Sequence, residues 1–261
     1  MISLSANEIN AWVSAFFFPL ARILAILAAA PPFSNPALTL RVRLAAGLAI
    51  TFAITPVLPP IPPLAPGSAA GLLILAQQML IGLAMGFAMR LVFTAVDLAG
   101  EMISMQMGLG FASAYDPQTA GQTAVISEFL GLLALLVFMS INGHLMVIAT
   151  LAQSFALIPI GIQSADPTSW HKLAQAGSII FSSGLFLALP ILVALMITNL
   201  ALAVLSRAAP QLNLMAIGFP LTLALGFASL IVALPYLSQP LQQIFELGLR
   251  SMIGNLSPRM L

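Results

Sequence analysis

QMGLGFASAYDPQTAGQ, the stretch from Gln106 to Gln122, separates two long apolar segments and carries a single charge. A helix cannot continue through Pro117, because proline lacks a backbone N–H and its ring clashes with the preceding turn. Gly108 and Gly110 permit a sharp change of chain direction. Phe111 adds apolar bulk, which water does not favour. The stretch therefore predicts a loop that fills a constriction, that is, a plug or gate.

The composition is that of a membrane protein. Of the 261 residues, 61% are hydrophobic and 6% are charged, whereas about a quarter of an ordinary soluble domain is charged. The net charge of +1 and the scattered basic residues give no reason to expect nucleic-acid binding. The chain has no cysteine, which excludes disulfides and thiolate metal ligands.

Apolar runs of about 20 residues, the length that crosses a bilayer, recur along the chain. We expect one all-α, polytopic membrane domain over residues 1–261, with about six long helices arranged as hairpins and no cleavage after Ala28–Ala30. The predicted segments are Ile9–Ala30, Leu44–Ile54, Ala69–Met105, Thr123–Ile158, Leu173–Leu205 and Leu214–Leu234, followed by a short amphipathic helix over Leu241–Ile253.

Three connections have distinctive sequences. PVLPPIPPLAP, from Pro56 to Pro66, has six prolines and no charge, which favours a stiff polyproline strut. QSADPTSWHK, from Gln163 to Lys172, reads as a short polar loop. Pro190 lies within the fifth segment, where a missing backbone N–H predicts a kink.

The third segment carries the most informative polar pattern. It is too long for one perpendicular span. Gly82 and Gly86 form a GxxxG step, which permits close approach of another helix. Arg90, Asp97 and Glu101 share one helical face with Thr94, because their offsets of 0, 7, 11 and 4 follow the helical repeat.

Three interpretations of these charged residues remain open, because ionisable groups within a membrane helix are costly and face protein or water. They form a proton relay, they pair with partner helices, or they lie beyond the hydrocarbon where this overlong segment protrudes. We favour the last two over the relay. Arg22, in the middle of the first segment, is expected to be a buried ion-pair partner rather than a snorkelling residue. Asn142 and His144 are expected to hydrogen-bond within or between helices.

We expect neither catalysis nor a cofactor. His144 and His171 are 27 residues apart, with no carboxylate at ligand spacing, which makes a metal site improbable. No nucleophile motif accompanies the serines, and no phosphate-binding GxxxxGKS or GxGxxG sequence occurs.

Six stretches occur in order and together cover almost the whole chain. They are the Pro31–Phe33 turn with Arg41 and Arg43, LIGLAMGF (residues 80–87), AGEMISMQMGLGFASAYDP (99–117), NGH (142–144), SFALIPIG (154–161) and RAAPQLNLMAIGFPL (207–221). In this order they resemble the FliR family of type III secretion export-gate proteins, in its flagellar form more than its virulence form.

The resemblance implies a non-enzymatic, single-copy core subunit of a flagellar export channel. Its implied partners are FliP and FliQ in a helical assembly, FlhB and FlhA nearby, unfolded flagellar substrates, and lipid of the bacterial inner membrane at the basal body. Residues 1–160 would resemble a FliP protomer, with the plug loop at 105–122, and residues 161–261 a FliQ protomer.

The resemblance also assigns the gate, whereas the contacts around it are assigned from the polar residues and the GxxxG step themselves. The gate residues are Met105, Gln106, Met107, Gly108, Leu109, Gly110, Phe111, Ala112, Tyr115, Asp116 and Pro117, with Phe111 at the closed pore. Tyr115 departs from the aliphatic or phenylalanine residue expected there. Polar contacts between subunits are assigned to Arg22, Arg90, Asp97, Glu101, Asn142, His144 and Arg207, and helix packing to Gly82 and Gly86.

The alternatives are a virulence-type export subunit, an ion-coupled secondary transporter and an intramembrane enzyme. A transporter would use the stripe from Arg90 to Glu101 as its coupling site at a broken helix. An inverted repeat between the two halves would favour this alternative. None is recognised in the sequence, because the proline strut after the second segment has no counterpart after the fifth.

Overall fold

The computed structural model describes residues 6–61, 64–109, 125–161, 167–209 and 214–254, and most of them lie in helices. Two 3₁₀ turns, Thr55–Val57 and Leu234–Tyr236, occur within these ranges. The α-helices of the same ranges are α1 (Ala6–Ala29), α2 (Leu40–Ile54), α3 (Ala69–Gln106), α4 (Val125–Ser140), α5 (Gly143–Leu157), α6 (Pro167–Gln175), α7 (Ser178–Ala208), α8 (Leu214–Ala233) and α9 (Ser238–Gly254).

The predicted all-α polytopic architecture is confirmed. Five helical stretches are long and apolar enough to cross a membrane, and α4 with α5 would count as a sixth, broken span. The third segment is a single helix of 38 residues, about 57 Å long at the α-helical rise. This length exceeds the hydrocarbon thickness of about 30 Å, so α3 tilts or extends beyond the bilayer core.

The described chain divides into two compact units. The first contains residues 1–91, 142–177 and 246–261. Its α1 and α2 pack closely, with the Phe16 and Phe52 rings 4.9 Å apart. Side chains of α1, α3 and α5 that are no more than 2% exposed form its core: Phe18, Ile23, Ile26, Leu27, Ile74, Met85, Met89, Val147, Leu151 and Phe155.

The second unit contains residues 92–141 and 178–245. Phe93, Phe138 and Phe245 form an aromatic cluster in it, with ring centroids 5.2 to 5.6 Å apart. Helix α4 crosses α3 closely at Ser127, whose hydroxyl donates a 3.0 Å hydrogen bond to the Asp97 carbonyl.

Several boundaries differ from the predicted segments. Helices α1 and α2 begin earlier than predicted, and the predicted fifth segment starts inside α6 and is interrupted by a turn before α7. The fourth segment is not one helix, because Asn142 takes a left-handed conformation (φ 57°) between α4 and α5. Asparagine tolerates this conformation better than other non-glycine residues, and its carbonyl accepts the first hydrogen bonds of α5 from Leu145 and Met146. Part of the predicted loop at Gln163–Lys172 is helical, since α6 begins at Pro167, and proline suits the first position of a helix.

The C-terminal amphipathic helix is confirmed over Ser238–Gly254. Its apolar side is buried within the protein, at Leu241, Ile244, Phe245, Leu249, Met252 and Ile253. Glu246 and Arg250 lie on its exposed side and form a 3.7 Å ion pair.

Candidate functional site

The C-terminal end of α3 is closed by a glycine cap. Gly108 has φ 85°. Its N–H donates to the Met105 carbonyl at 3.1 Å, and the Leu109 N–H donates to the Ser104 carbonyl at 3.0 Å. These two hydrogen bonds and the left-handed glycine form a Schellman motif, which satisfies helix-terminal carbonyls that would otherwise lack partners. Gly108 therefore turns the chain at the start of the predicted gate.

Met107, the residue before this glycine, is held by α8. Its side chain is completely buried. A Cβ added to Gly226 would lie 2.5 Å from the Met107 Cγ and 2.8 Å from its Sδ, so the glycine provides the space that this side chain occupies. The Thr222 hydroxyl donates a 3.3 Å hydrogen bond to the Met107 carbonyl. We call Met107, Thr222 and Gly226 the α8 seat.

The residues beside Met107 face other surroundings. Met105 is 71% exposed. Gln106 lines an open cavity of about 570 Å³ with Val193, Met196, Ile197, Asn199 and Leu200 of α7. The remaining predicted gate residues, namely Gly110, Phe111, Ala112, Tyr115, Asp116 and Pro117, lie outside the described residues.

Gly82 and Gly86 lie where α3 crosses α1. A Cβ added to Gly82 would be 2.3 Å from the Arg22 carbonyl oxygen, and one added to Gly86 would be 2.6 Å from the Ala29 Cβ. Both distances are far below van der Waals contact, so only glycine fits at this crossing. The GxxxG step thus packs a helix of the same chain.

Arg22 lies completely buried in the first unit. Its Nε donates to Gln78 Oε1 at 2.8 Å, its Nη1 to Ser154 Oγ at 3.0 Å and its Nη2 to the Ile158 carbonyl at 2.9 Å. The guanidinium also lies over the Phe155 ring, 4.2 Å from the centroid. Arg22 therefore connects α1 with α3 and with the end of α5.

The hydrogen-bond acceptors of Arg22 among the described residues are neutral, so the predicted ion pair is not found within them. Ile158 is the C-cap of α5, and the C-terminus of a helix carries partial negative charge that favours a cation. The aromatic face adds a further attraction. All three acceptors belong to the same chain, and the contact between subunits assigned to Arg22 stays a prediction.

The polar stripe of α3, unlike Arg22, is exposed and has no salt-bridge partner within the described residues. Arg90, Asp97 and Glu101 are exposed on the surface of the chain, and none of them forms a salt bridge within the described ranges. Asp97 and Glu101 are like charges four residues apart, which repel each other on a helix. The stripe therefore lacks compensating charge within the part of the chain that the structure describes.

The other residues predicted to make polar contacts, Asn142, Arg207 and His144, differ in exposure and in their place in the helices. Asn142 is exposed at the α4–α5 break, and Arg207 is exposed in the last turn of α7, where a cation suits the helix dipole. His144 was expected to hydrogen-bond, but its buried Nδ1 has no partner among the described residues. The same residues contain no group of three His, Asp or Glu side chains able to hold a metal.

Sequence reasoning did not identify the partners of Met107 and Arg22. Thr222 and Gly226 lie in an apolar helix whose sequence gives no sign of contact with Met107. Gln78 and Ser154 are buried polar residues in predominantly apolar helices, and each required a partner because burying an unpaired polar group is costly. That requirement was the available signal for the Arg22 site, although it does not identify the partner.

Comparison with known proteins places the chain in one family. The model of the family described as bacterial export proteins, family 1, matches residues 13–248. The flagellar biosynthetic protein FliR of Pectobacterium carotovorum subsp. carotovorum is 42% identical over 249 residues, which cover 94% of each chain. Its namesake in Escherichia coli K12 is 40% identical over 94% of each chain, and that of Bacillus subtilis 168 is 29% identical over 69% of this chain and 71% of its own.

Proposed function

The chain belongs to the family of bacterial export proteins, family 1, and from this membership and its gate-like loop we propose that it is a single-copy gating subunit of the flagellar export channel. The chain is a membrane component of the flagellar type III export apparatus. The observation that carries this conclusion is the 42% identity over 94% of the chain with a flagellar relative. The virulence and transporter alternatives are not favoured, because the similar relatives carry flagellar names.

The gate function is assigned to the segment that begins at Met105. Support comes from its root: α3 ends in a glycine cap at Gly108, and Met107 is anchored in the α8 seat. A loop that plugs a pore requires such a fixed attachment, because an unanchored apolar segment would not return to one position. The subunit has a structural and gating role, without catalysis or a cofactor.

The partners proposed for this chain are FliP and FliQ in the core assembly, FlhB and FlhA beside it, and unfolded flagellar substrates. The uncompensated stripe of Arg90, Asp97 and Glu101 supports an extensive protein interface, because charges on a bilayer-exposed helix face are costly. A neighbouring helix with a basic residue opposite Asp97 and Glu101 would remove this cost. The proposed location is the inner membrane at the flagellar basal body.

The two-part organisation also remains a proposal. Residues 1–160 would occupy a position equivalent to one FliP protomer, and residues 161–261 a position equivalent to one FliQ protomer. This arrangement explains how a single chain could complete an assembly of two other small membrane proteins.

The gate assignment is tested by deleting residues 108–112 and measuring ion leakage in cells that express the complete export complex. We expect higher leakage than with the parent chain, because the deletion removes the glycine cap and shortens the plug. The matched control is Glu246→Gln, an exposed change at the α9 ion pair, which should leave leakage unchanged. Unchanged leakage in the deletion, with equal complex in the membrane, would refute the gate assignment.

The partner assignment is tested by native mass spectrometry of the complex purified after co-expression with FliP and FliQ. We expect one copy of this chain together with several copies of each partner. A monomer or homodimer whose mass does not change when the partners are present would contradict the assignment and favour the transporter alternative.

A further inference from the structure

We propose that one face of α2 stays in contact with lipid in the assembled complex, and that Arg41 on this face binds the phosphate of an anionic phospholipid. The α2 face consists of Arg41, Leu44, Leu48 and Phe52, all of which are described residues of the first unit. The inference rests on the proposed function only in placing the chain in a complex with partner subunits, and it does not involve the gate.

The α2 face combines a cation with apolar side chains. Leu44, Leu48 and Phe52 follow Arg41 at offsets of 3, 7 and 11, which places the four residues on one side of a helix. Arg41 is exposed, and so are the three apolar side chains. The buried residues of α2 lie on a different side of the helix. The α2 face therefore has a charged end and an apolar remainder, the same division as in a phospholipid.

The charge of Arg41 is not compensated within the described residues. No carboxylate occurs between Glu8 and Asp97, a stretch that contains four arginines. Arg41 and Arg43 both lie in the first turn of α2, and neither forms a salt bridge in the part of the chain that the structure describes. The N-terminus of a helix carries partial positive charge, and the first turn of α2 contains no acidic residue. This end of α2 therefore attracts an anion.

The other end of the hairpin is marked by Trp12 of α1, which is 69% exposed. Phe16, near the start of α1, packs against Phe52, near the end of α2, so the two helices run antiparallel. Counted from this ring contact, Trp12 and Arg41 are about 22 Å apart along the helix axes. The long side chain of Arg41 extends this distance outward, towards the hydrocarbon thickness of about 30 Å. Because tryptophan is enriched at membrane–water interfaces, the hairpin between these two residues matches the height of a bilayer.

An anionic phospholipid fits the α2 face better than an acidic protein segment does. A phospholipid supplies a negative group and hydrocarbon in one molecule, in the order in which the face presents Arg41 and its apolar residues. Its phosphate also accepts the paired N–H groups of a guanidinium. A soluble acidic segment would neutralise Arg41 and leave the apolar side chains uncovered. A neighbouring transmembrane helix is the remaining rival, and cross-linking distinguishes it from lipid.

Lipid binding is measured by native mass spectrometry of the purified chain in detergent that contains phosphatidylglycerol or phosphatidylethanolamine with identical acyl chains. We expect the chain to retain one phosphatidylglycerol molecule in preference to phosphatidylethanolamine. Arg41→Gln should weaken phosphatidylglycerol binding about fivefold, the contribution of one basic residue at an anionic surface, and leave phosphatidylethanolamine binding unchanged. The matched control is Arg250→Gln, which removes an exposed arginine of α9 and should preserve the preference.

A second measurement identifies what covers the α2 face in the complex. The photoreactive residue p-benzoylphenylalanine replaces Leu48 in the chain co-expressed with FliP and FliQ, and the cross-linked chain is weighed by mass spectrometry. We expect an increase equal to the mass of one phospholipid and no adduct with either protein. The same photoreactive residue in place of Glu101, on the polar stripe proposed as a protein interface, should give an adduct with a partner subunit.

Three outcomes would overturn the inference: equal retention of the two lipids by the parent chain, an equal effect of Arg41→Gln and Arg250→Gln, or a protein adduct at position 48. Failure of the proposed function is distinguishable from these results. It would appear as loss of the protein adduct at position 101, with the preference for phosphatidylglycerol and its dependence on Arg41 unchanged.

Discussion

Replacing Gly82 with alanine tests whether the α1–α3 crossing depends on the absence of a side chain. The added Cβ would lie 2.3 Å from the Arg22 carbonyl oxygen and 2.7 Å from the Ala25 Cβ. The nearest obstacle is a backbone atom, which cannot rotate away as a side chain can. The two helices must therefore separate locally, and the contacts beside the crossing are weakened.

The expected change in the free energy of unfolding is the sum of a packing cost and a gain in helix propensity. Overpacking of a well-packed interior costs about 1–3 kcal/mol, whereas replacing glycine with alanine within a helix gains about 1 kcal/mol. Gly218 in α8 provides the matched control, because a Cβ there would meet only Leu202 at an ordinary 3.8 Å. The helix-propensity gain is common to both variants, so we expect Gly218→Ala to be about 1–3 kcal/mol more stable than Gly82→Ala.

The measurement is reversible unfolding of the purified chain in mixed detergent micelles, followed by the loss of helical circular dichroism. The difference between the two variants isolates the packing term, because both exchange glycine for alanine inside a helix. Equal free energies of unfolding for Gly82→Ala and Gly218→Ala would refute the claim that only glycine fits at the crossing.

Three further predictions concern other described sites. Arg22→Lys should lower the free energy of unfolding by about 1.5–3 kcal/mol for each charged hydrogen bond lost, because one ammonium cannot reach three acceptors that a planar guanidinium reaches; unchanged stability in the micelle assay would contradict this. Gly108→Ala should cost about 1–2 kcal/mol in the same assay, because alanine is strained in the left-handed conformation, whereas Gly161→Ala, where a Cβ meets open space, should not share that strain. Glu101→Lys should reduce co-purification with FliP and FliQ and leave the isolated chain as stable as the parent, and full recovery of the complex would argue against an interface at the stripe.

Much of the fold could be predicted because it follows from local patterns. The length of α3 follows from a predominantly apolar sequence that lacks proline. The C-terminal helix follows from apolar residues that recur three to four positions apart between Leu241 and Ile253. The close crossing at Gly82 and Gly86 was predictable in kind, since small residues four apart permit close approach, but the identity of the facing helix was not.

Two arginines in long apolar helices show where the local pattern is no longer sufficient. Arg22 and Arg90 both occur among apolar neighbours, yet Arg22 is completely buried and Arg90 is exposed. The difference is decided by what packs against each helix face. At Arg22 the end of α5 supplies a carbonyl and an aromatic ring, so a buried cation needs no carboxylate.

The structure at the start of the predicted gate depends both on the local sequence and on tertiary packing. The sequence indicates a turn at Gly108 because glycine alone adopts the left-handed conformation without strain, and the structure shows that turn. Nothing near Met107 indicates that its carbonyl and side chain contact Thr222 and Gly226, because these partners are brought to it only by the packing of α8. The local sequence thus determines where the chain can turn, while tertiary packing determines how firmly the turning point is held, and a gate requires both properties at the same residue.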